Sequence, residues 1–316
     1  MNQYIETPHG PLHVNVVTDR TNDACVFFIP GFHATFNFPT HRAVEQWAAD
    51  QGVNFVSLEY TAHDLIGRGD HHTVRQYGFD RYLDDARFVF EQFCDPSVVG
   101  PTTLVGHSIG GWNALILNEE MSERDPGVIA GVVSIVPTLS LTGPNGYMTQ
   151  LINKNPDKFA EQGFVASPLG APTEMIYTKA ILTSSDALDL NGRYADDART
   201  TWVPHPPKEN WRGAPIVIVD GDNDHASPKV DFETYLSRLP TGAGRIDTLL
   251  EVPNRRYVQG STDRAERFPT IKADHGLCKD HHLERILAHA ETFVRQSQAE
   301  APGLMARRSA LLEARA

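Results

Sequence analysis

Ser108 sits at the centre of Gly106-His107-Ser108-Ile109-Gly110, between a short apolar run, Thr102–Val105, and an apolar stretch opening at Gly111-Trp112. A G-x-S-x-G placed between a strand and a helix holds the serine on a sharp, strained turn with its hydroxyl pushed into the open. The flanking glycines are needed because a Cβ at either point would collide with the neighbouring strand and helix. Such a serine can attack a carbonyl carbon, provided that a base takes its proton and a carboxylate orients the base. On a strand–turn–helix site these partners follow in the order Ser, then Asp or Glu, then His.

The chain offers one favoured group for each role. The apolar run Pro215–Val219 ends in Asp220-Gly221-Asp222-Asn223-Asp224-His225, and the carboxyl ends of parallel strands are where reacting groups gather. Asp224, three residues beyond the glycine and four before Pro228, is the chosen acid. Asp222 is the alternative, with capping of a helix near Lys229 as its competing duty. For the base, His275 in Ala273-Asp274-His275-Gly276 precedes a helix expected from His281 to Gln296. Of the other histidines, His281, His282 and His289 read as helix-face residues and His71-His72 as part of a polar loop.

A tetrahedral intermediate also needs preorganised donors for its oxyanion. The N–H of Ile109 is one expected donor, and the N–H of Phe32, in the loop Pro30-Gly31-Phe32-His33, is the other. Gly31, His33, His107 and Trp112 are placed beside the substrate. For His33 a solvated loop position competes with that reading, and for Trp112 core packing does. The sequence has no H-E-x-x-H and no compact Cys/His/carboxylate spacing, so neither a metal nor another cofactor is expected.

The elements that must position these groups alternate along the chain. An opening hairpin is expected from Tyr4–Thr7 and Leu12–Val17, and buried strands at Ala24–Ile29, Asn54–Tyr60, Gly131–Val136 and Pro215–Val219. A helix is expected from Thr40 to Asp50. Phe79, Tyr82, Leu83, Ala86, Val89, Phe90 and Phe93 fall on one helical face between Tyr77 and Cys94. Repeated strand-then-helix units imply a mainly parallel sheet covered on both faces. Residues 137–213 are too long for a structureless loop and read as a lid inserted into one domain spanning 1–299, with 300–316 as a tail. That tail is read as a short peripheral helix or a disordered end. A last strand is expected at Thr248–Val252. Asn254–Lys272 then forms an extra hairpin or flap, unless Pro269–Ala273 belongs to that strand.

With 316 residues, the chain can bury a substantial core. Three scattered cysteines, Cys25, Cys94 and Cys278, point to a reducing, cytoplasmic setting without a disulfide framework. The net charge of −12 argues against nucleic acid or an anionic membrane as partner, and no apolar run reaches membrane-span length.

Taken together, Phe28-Ile29-Pro30-Gly31-Phe32, Gly106–Trp112, Gly221–Asp224 and Asp274-His275 resemble the α/β-hydrolase superfamily over most of residues 24–295. The Pro-Gly after the third strand, the Ser-x-Gly-Gly-Trp elbow and the late Asp-His are similar to its acyl-protein thioesterase and acyl-glucuronide esterase branch. The resemblance implies an α/β-hydrolase fold, with Ser108 as nucleophile, Asp224 as acid, His275 as base, and Phe32 and Ile109 as oxyanion donors. One departure is Pro30-Gly31 where the family carries His-Gly. The expected function is hydrolysis of a carboxylic ester or thioester through an acyl-enzyme. Cleavage of a carbon–carbon bond, lactone opening and acyl transfer use the same triad. A non-catalytic binding protein on this scaffold is the reading from another class. Tyr147, Met148, Phe159, Phe164, Met175, Ile176, Tyr177 and Trp202 in the lid would suit a small hydrophobic or aromatic acyl substrate, and equally would serve to dock the lid onto the core.

Overall fold

The structure is a computed structural model. It describes residues 2–18, 22–32, 34–61, 78–139, 153–154, 156–162, 164–167, 175–178, 192–194, 202–204, 211–221, 229–249, 252–253, 270–271 and 280–315. Eight strands form its central sheet: β1 (Asn2–Thr7), β2 (Gly10–Val17), β3 (Asn22–Ile29), β4 (Val53–Glu59), β5 (Thr102–His107), β6 (Ile129–Ile135), β7 (Ile216–Gly221) and β8 (Gly244–Leu249). Their order across the sheet is β1-β2-β4-β3-β5-β6-β7-β8. The β1–β2 hairpin is antiparallel and joins β4 antiparallel, and from β4 onward every neighbouring pair is parallel.

Parallel strands need crossover connections, and helices supply most of them. Between successive strands lie α1 (Pro39–Asp50), α2 (Phe79–Phe93), α3 (Ile109–Arg124) and α4 (Lys229–Leu236), and α5 (Asp280–Arg315) follows the last strand of the sheet. In β3, Cys25, Phe27 and Ile29 point to the face covered by α2, α3 and α4, while Ala24, Val26 and Phe28 point to that of α1 and α5. All six are fully buried. That two-sided burial is why β3 reads as an unbroken apolar run.

Three observations depart from the expectations. The last strand of the sheet is β8, ending at Leu249, not Thr248–Val252. As an edge strand it is half solvated and carries Arg245 and Asp247, which hide its strand character. Val252–Pro253 instead pairs antiparallel with Thr270–Ile271, outside the main sheet, so Thr270 and Ile271 do not extend it; the rest of Pro269–Ala273 lies outside the described residues. The last helix runs to Arg315, across the position read as the start of a tail. Between β6 and β7 the described residues form a helix, Pro156–Gln162, and two antiparallel hairpins, Phe164–Ser167 with Met175–Thr178 and Gly192–Tyr194 with Trp202–Pro204. Neither hairpin joins the central sheet. Among the described residues no helix is long and apolar enough to cross a membrane.

Candidate active site

Strand β5 ends at His107 and α3 begins at Ile109, so Ser108 alone makes the turn between them, at φ 56° and ψ −117°. A left-handed φ is costly for a residue with a Cβ and persists only where the surroundings enforce it. Here the Ser108 N–H donates to the Ile135 carbonyl at 2.8 Å, and the Ser108 carbonyl accepts from the Trp112 N–H at 3.1 Å. The glycines on either side are under direct steric demand. A Cβ on Gly106 would lie 2.2 Å from the Gly110 carbonyl oxygen, and one on Gly110 would lie 2.1 Å from that of Ile29. The spacing G-x-S-x-G is therefore a packing requirement at the crossing of β3, β5 and α3.

The loop after β3 lies against this turn. A Cβ on Gly31 would meet the His107 Nδ1 at 2.8 Å and the Ser108 Cβ at 3.3 Å. The Gly31 carbonyl accepts from the Ala34 N–H at 3.1 Å, which curls the chain at Phe32. Phe32 is half-buried, its ring 5.5 Å from that of Tyr82. Ile109 is the first residue of α3, where backbone N–H groups have no acceptor within the helix and the helix dipole is positive. His107 is 5% exposed with its ring 5.1 Å from Phe38, and Trp112 is buried in the core beneath the elbow.

Sequence reasoning did not find what holds the loop. The buried Tyr60 hydroxyl donates to the Pro30 carbonyl at 3.2 Å and accepts from Asn113 Nδ2 of α3 at 3.0 Å. Burial raises the Tyr60 pKa well above its ordinary value, with the Asn113 hydrogen bond opposing and the Asp85 charge adding to the shift. Tyr60 thus stays a neutral donor. Its neighbour Glu59 accepts from the Phe36 N–H at 2.6 Å and lies 2.9 Å from His13 Nδ1. Two consecutive residues at the end of β4 therefore clamp two points of the loop. The contacts are non-local, and no spacing in the sequence announces them.

The segments flanking residues 140–210 are held to the same elements. Thr138, which follows β6, brings its Oγ1 to 3.4 Å from the Ser108 Oγ. At the other end Ala214 is pinned twice by Asn118 of α3, which accepts from the Ala214 N–H at 2.8 Å and donates to its carbonyl at 3.0 Å. Asp222, Asp224, His275 and His33 lie outside the described residues. Strand β7 ends at Gly221, next to Asp222, at the same edge of the sheet as Ser108.

An alpha/beta hydrolase family profile matches residues 26–295. No curated protein matches the sequence. Among solved structures, a protein from Agrobacterium vitis superposes with a TM-score of 0.69 at 18% identity, over 93% of this chain and 98% of its own. Mouse alpha/beta hydrolase domain-containing protein 10 does so with a TM-score of 0.63 at 15% identity, covering 94% of this chain and 99% of that one. A soluble variant of monoglyceride lipase from Saccharomyces cerevisiae gives a TM-score of 0.63 at 11% identity, covering 93% and 94%. At these identities the likeness is one of fold, and the profile match over most of the chain adds the family. With its mostly parallel eight-stranded sheet and its helices on both faces, the chain belongs to the alpha/beta hydrolase family.

Proposed function

We propose that the protein is a serine hydrolase that cleaves a carboxylic ester or thioester. The observation that carries this reading is Ser108, held at a left-handed φ between β5 and α3 with the Gly31 turn against it. Strain kept at one polar residue at the mouth of a parallel sheet is characteristic of functional sites. Family membership supports hydrolysis in general. Ester cleavage is carried over as a proposal from the monoglyceride lipase that shares the fold.

In this proposal Ser108 Oγ attacks the carbonyl carbon while its proton passes to His275, oriented by Asp224. The oxyanion lies between the N–H groups of Phe32 and Ile109, close to the positive end of α3. The leaving alcohol or thiol takes the proton from the imidazolium. Water then attacks the acyl-enzyme, gives a proton to the imidazole, and Ser108 recovers its own. Residues 137–213 form a lid on a body of residues 1–299, and small acyl substrates of hydrophobic or aromatic character bind beneath it.

Ser108→Ala removes the nucleophile at a turn that alanine occupies no less easily than serine. The variant is expected to keep its melting temperature and to lose turnover of p-nitrophenyl esters by a factor of at least about 10⁴. Equal turnover in variant and parent would refute the assignment.

A further inference from the structure

Among the described residues two non-glycine positions have positive φ, and they end adjacent strands: Ser108 after β5 and Val136 after β6, at φ 41°. The left-handed region is most costly for a β-branched side chain. Val136 also precedes Pro137, which should drive it towards extended geometry. The conformation is nevertheless enforced. Val136 is fully buried, and its N–H donates to the Val219 carbonyl of β7 at 2.8 Å. Such strain calls for a reason, and the chain two residues later supplies one.

Thr138 is turned back onto the elbow. Its N–H lies 3.4 Å from the Ser108 carbonyl and its Oγ1 lies 3.4 Å from the Ser108 Oγ. With only 9% of its surface exposed, it is held there by its surroundings. The oxygen–oxygen distance exceeds the ~2.7–2.8 Å of an optimal O–H···O bond. Hydrogen bonds of catalytic groups are commonly long before substrate binds and shorten in the complex.

We propose that Thr138 is a catalytic residue whose hydroxyl donates to the Ser108 Oγ whenever that oxygen gathers negative charge. The inference rests on the reading of Ser108 as the nucleophile. Two moments of the cycle use it. In acylation the bond from Oγ to the carbonyl carbon forms as the Oγ proton moves to the base and the carbonyl π pair moves to oxygen. That pair then re-forms the carbonyl as the bond to the leaving group breaks, and the leaving group takes the proton. In deacylation water's oxygen bonds to the same carbon as water gives a proton to the imidazole, the bond to Oγ then breaks, and the imidazolium passes that proton to Oγ. Thr138 keeps its own proton throughout. Its donation favours the charged oxygen over the neutral one, so it assists both proton loss and departure. The strain at Val136 aims this hydroxyl, since an extended residue there would carry the chain away from the elbow.

The test is the second-order rate of labelling of Ser108 by a fluorophosphonate probe, which needs no knowledge of the natural substrate. Thr138→Val keeps the shape and the backbone contact but removes the donor. It is expected to label at least about tenfold more slowly than the parent, at an unchanged melting temperature. Thr138→Ser, which keeps the hydroxyl, is expected to stay within about threefold of the parent. Thr138→Ala replaces the valine variant in the comparison if the latter does not fold. Parental labelling rates without the hydroxyl, or equal slowing in the serine variant, overturn the role of Thr138 and leave the nucleophile reading intact. A parent protein that takes no label on Ser108 overturns both.

Discussion

The hydroxyl of Tyr60, the residue that follows β4, ties the end of that strand to the Pro30 loop and to α3 through two hydrogen bonds. Its removal leaves a buried carbonyl and a buried amide without that partner, and such groups cost more than the bond itself contributed. Tyr60→Phe is accordingly expected to destabilise the protein by about 1–3 kcal/mol in urea titrations. It should also slow fluorophosphonate labelling of Ser108, because the Pro30–Phe32 turn loses its tie to α3. A variant as stable as the parent would show that the clamp is dispensable. At this scale the glycines were legible and the clamp was not. Gly31, Gly106 and Gly110 announce themselves because only a missing Cβ admits the approach, whereas Tyr60, Asn113 and Thr138 lie far apart in the chain and meet only once the sheet is built.

Helix α1 is fixed to the sheet by a side chain that behaves as an apolar group only while it is uncharged. His41 is fully buried, 2.8 Å from the Ser57 Oγ, with the rings of Phe28, Phe36 and Phe55 around it. Burial lowers its pKa to about 4, with the Arg42 charge adding to the effect and a hydrogen bond to the Phe36 backbone opposing it. The unfolded chain therefore takes up a proton near pH 6.5 that the folded chain refuses until about pH 4. The sign follows: this contribution to stability is complete above pH 6.5 and is lost as the pH falls towards 4, by about 3 kcal/mol in all. Urea titrations at pH 7 and pH 4.5 should show a smaller loss in His41→Gln than in the parent. Identical losses would sink this account. Elements with both faces covered, β3 to β7, stood out in the sequence as apolar runs. Edge strand β8 did not, and α5 runs through Pro302.

For the molecule as a whole, the arrangement is closed by its last helix. Helix α5 lies over β3, β5 and β6, placing Phe293 where a Cβ on Gly131 would come within 2.3 Å of its ring. On the sheet's edge Asp247 accepts from Arg285 Nε at 2.7 Å and lies 2.6 Å from His289 Nε2. The Arg285 guanidinium, followed by the His289 hydrogen bond, holds the Asp247 pKa below the usual carboxylate range, against partial burial. Phe293→Ala leaves a cavity over a glycine that cannot fill it, so the expected cost is about 3–5 kcal/mol. Calorimetry should register this as a lower melting temperature for the entire cooperative transition. A separate early transition of the C-terminal helix alone would contradict a single closed body.

The pair of hydrogen bonds between Asn118 and Ala214 imitates a rung of a β-ladder and is made by one side chain of α3, the helix that follows Ser108. With Thr138 held at the opposite end, the stretch between them is moored at one end to the turn at Ser108 and at the other to α3. Exchanging or lengthening that stretch is therefore expected to leave the turn at Ser108 and the sheet in place. The same two moorings mark natural splice points for grafting the corresponding stretch of a relative.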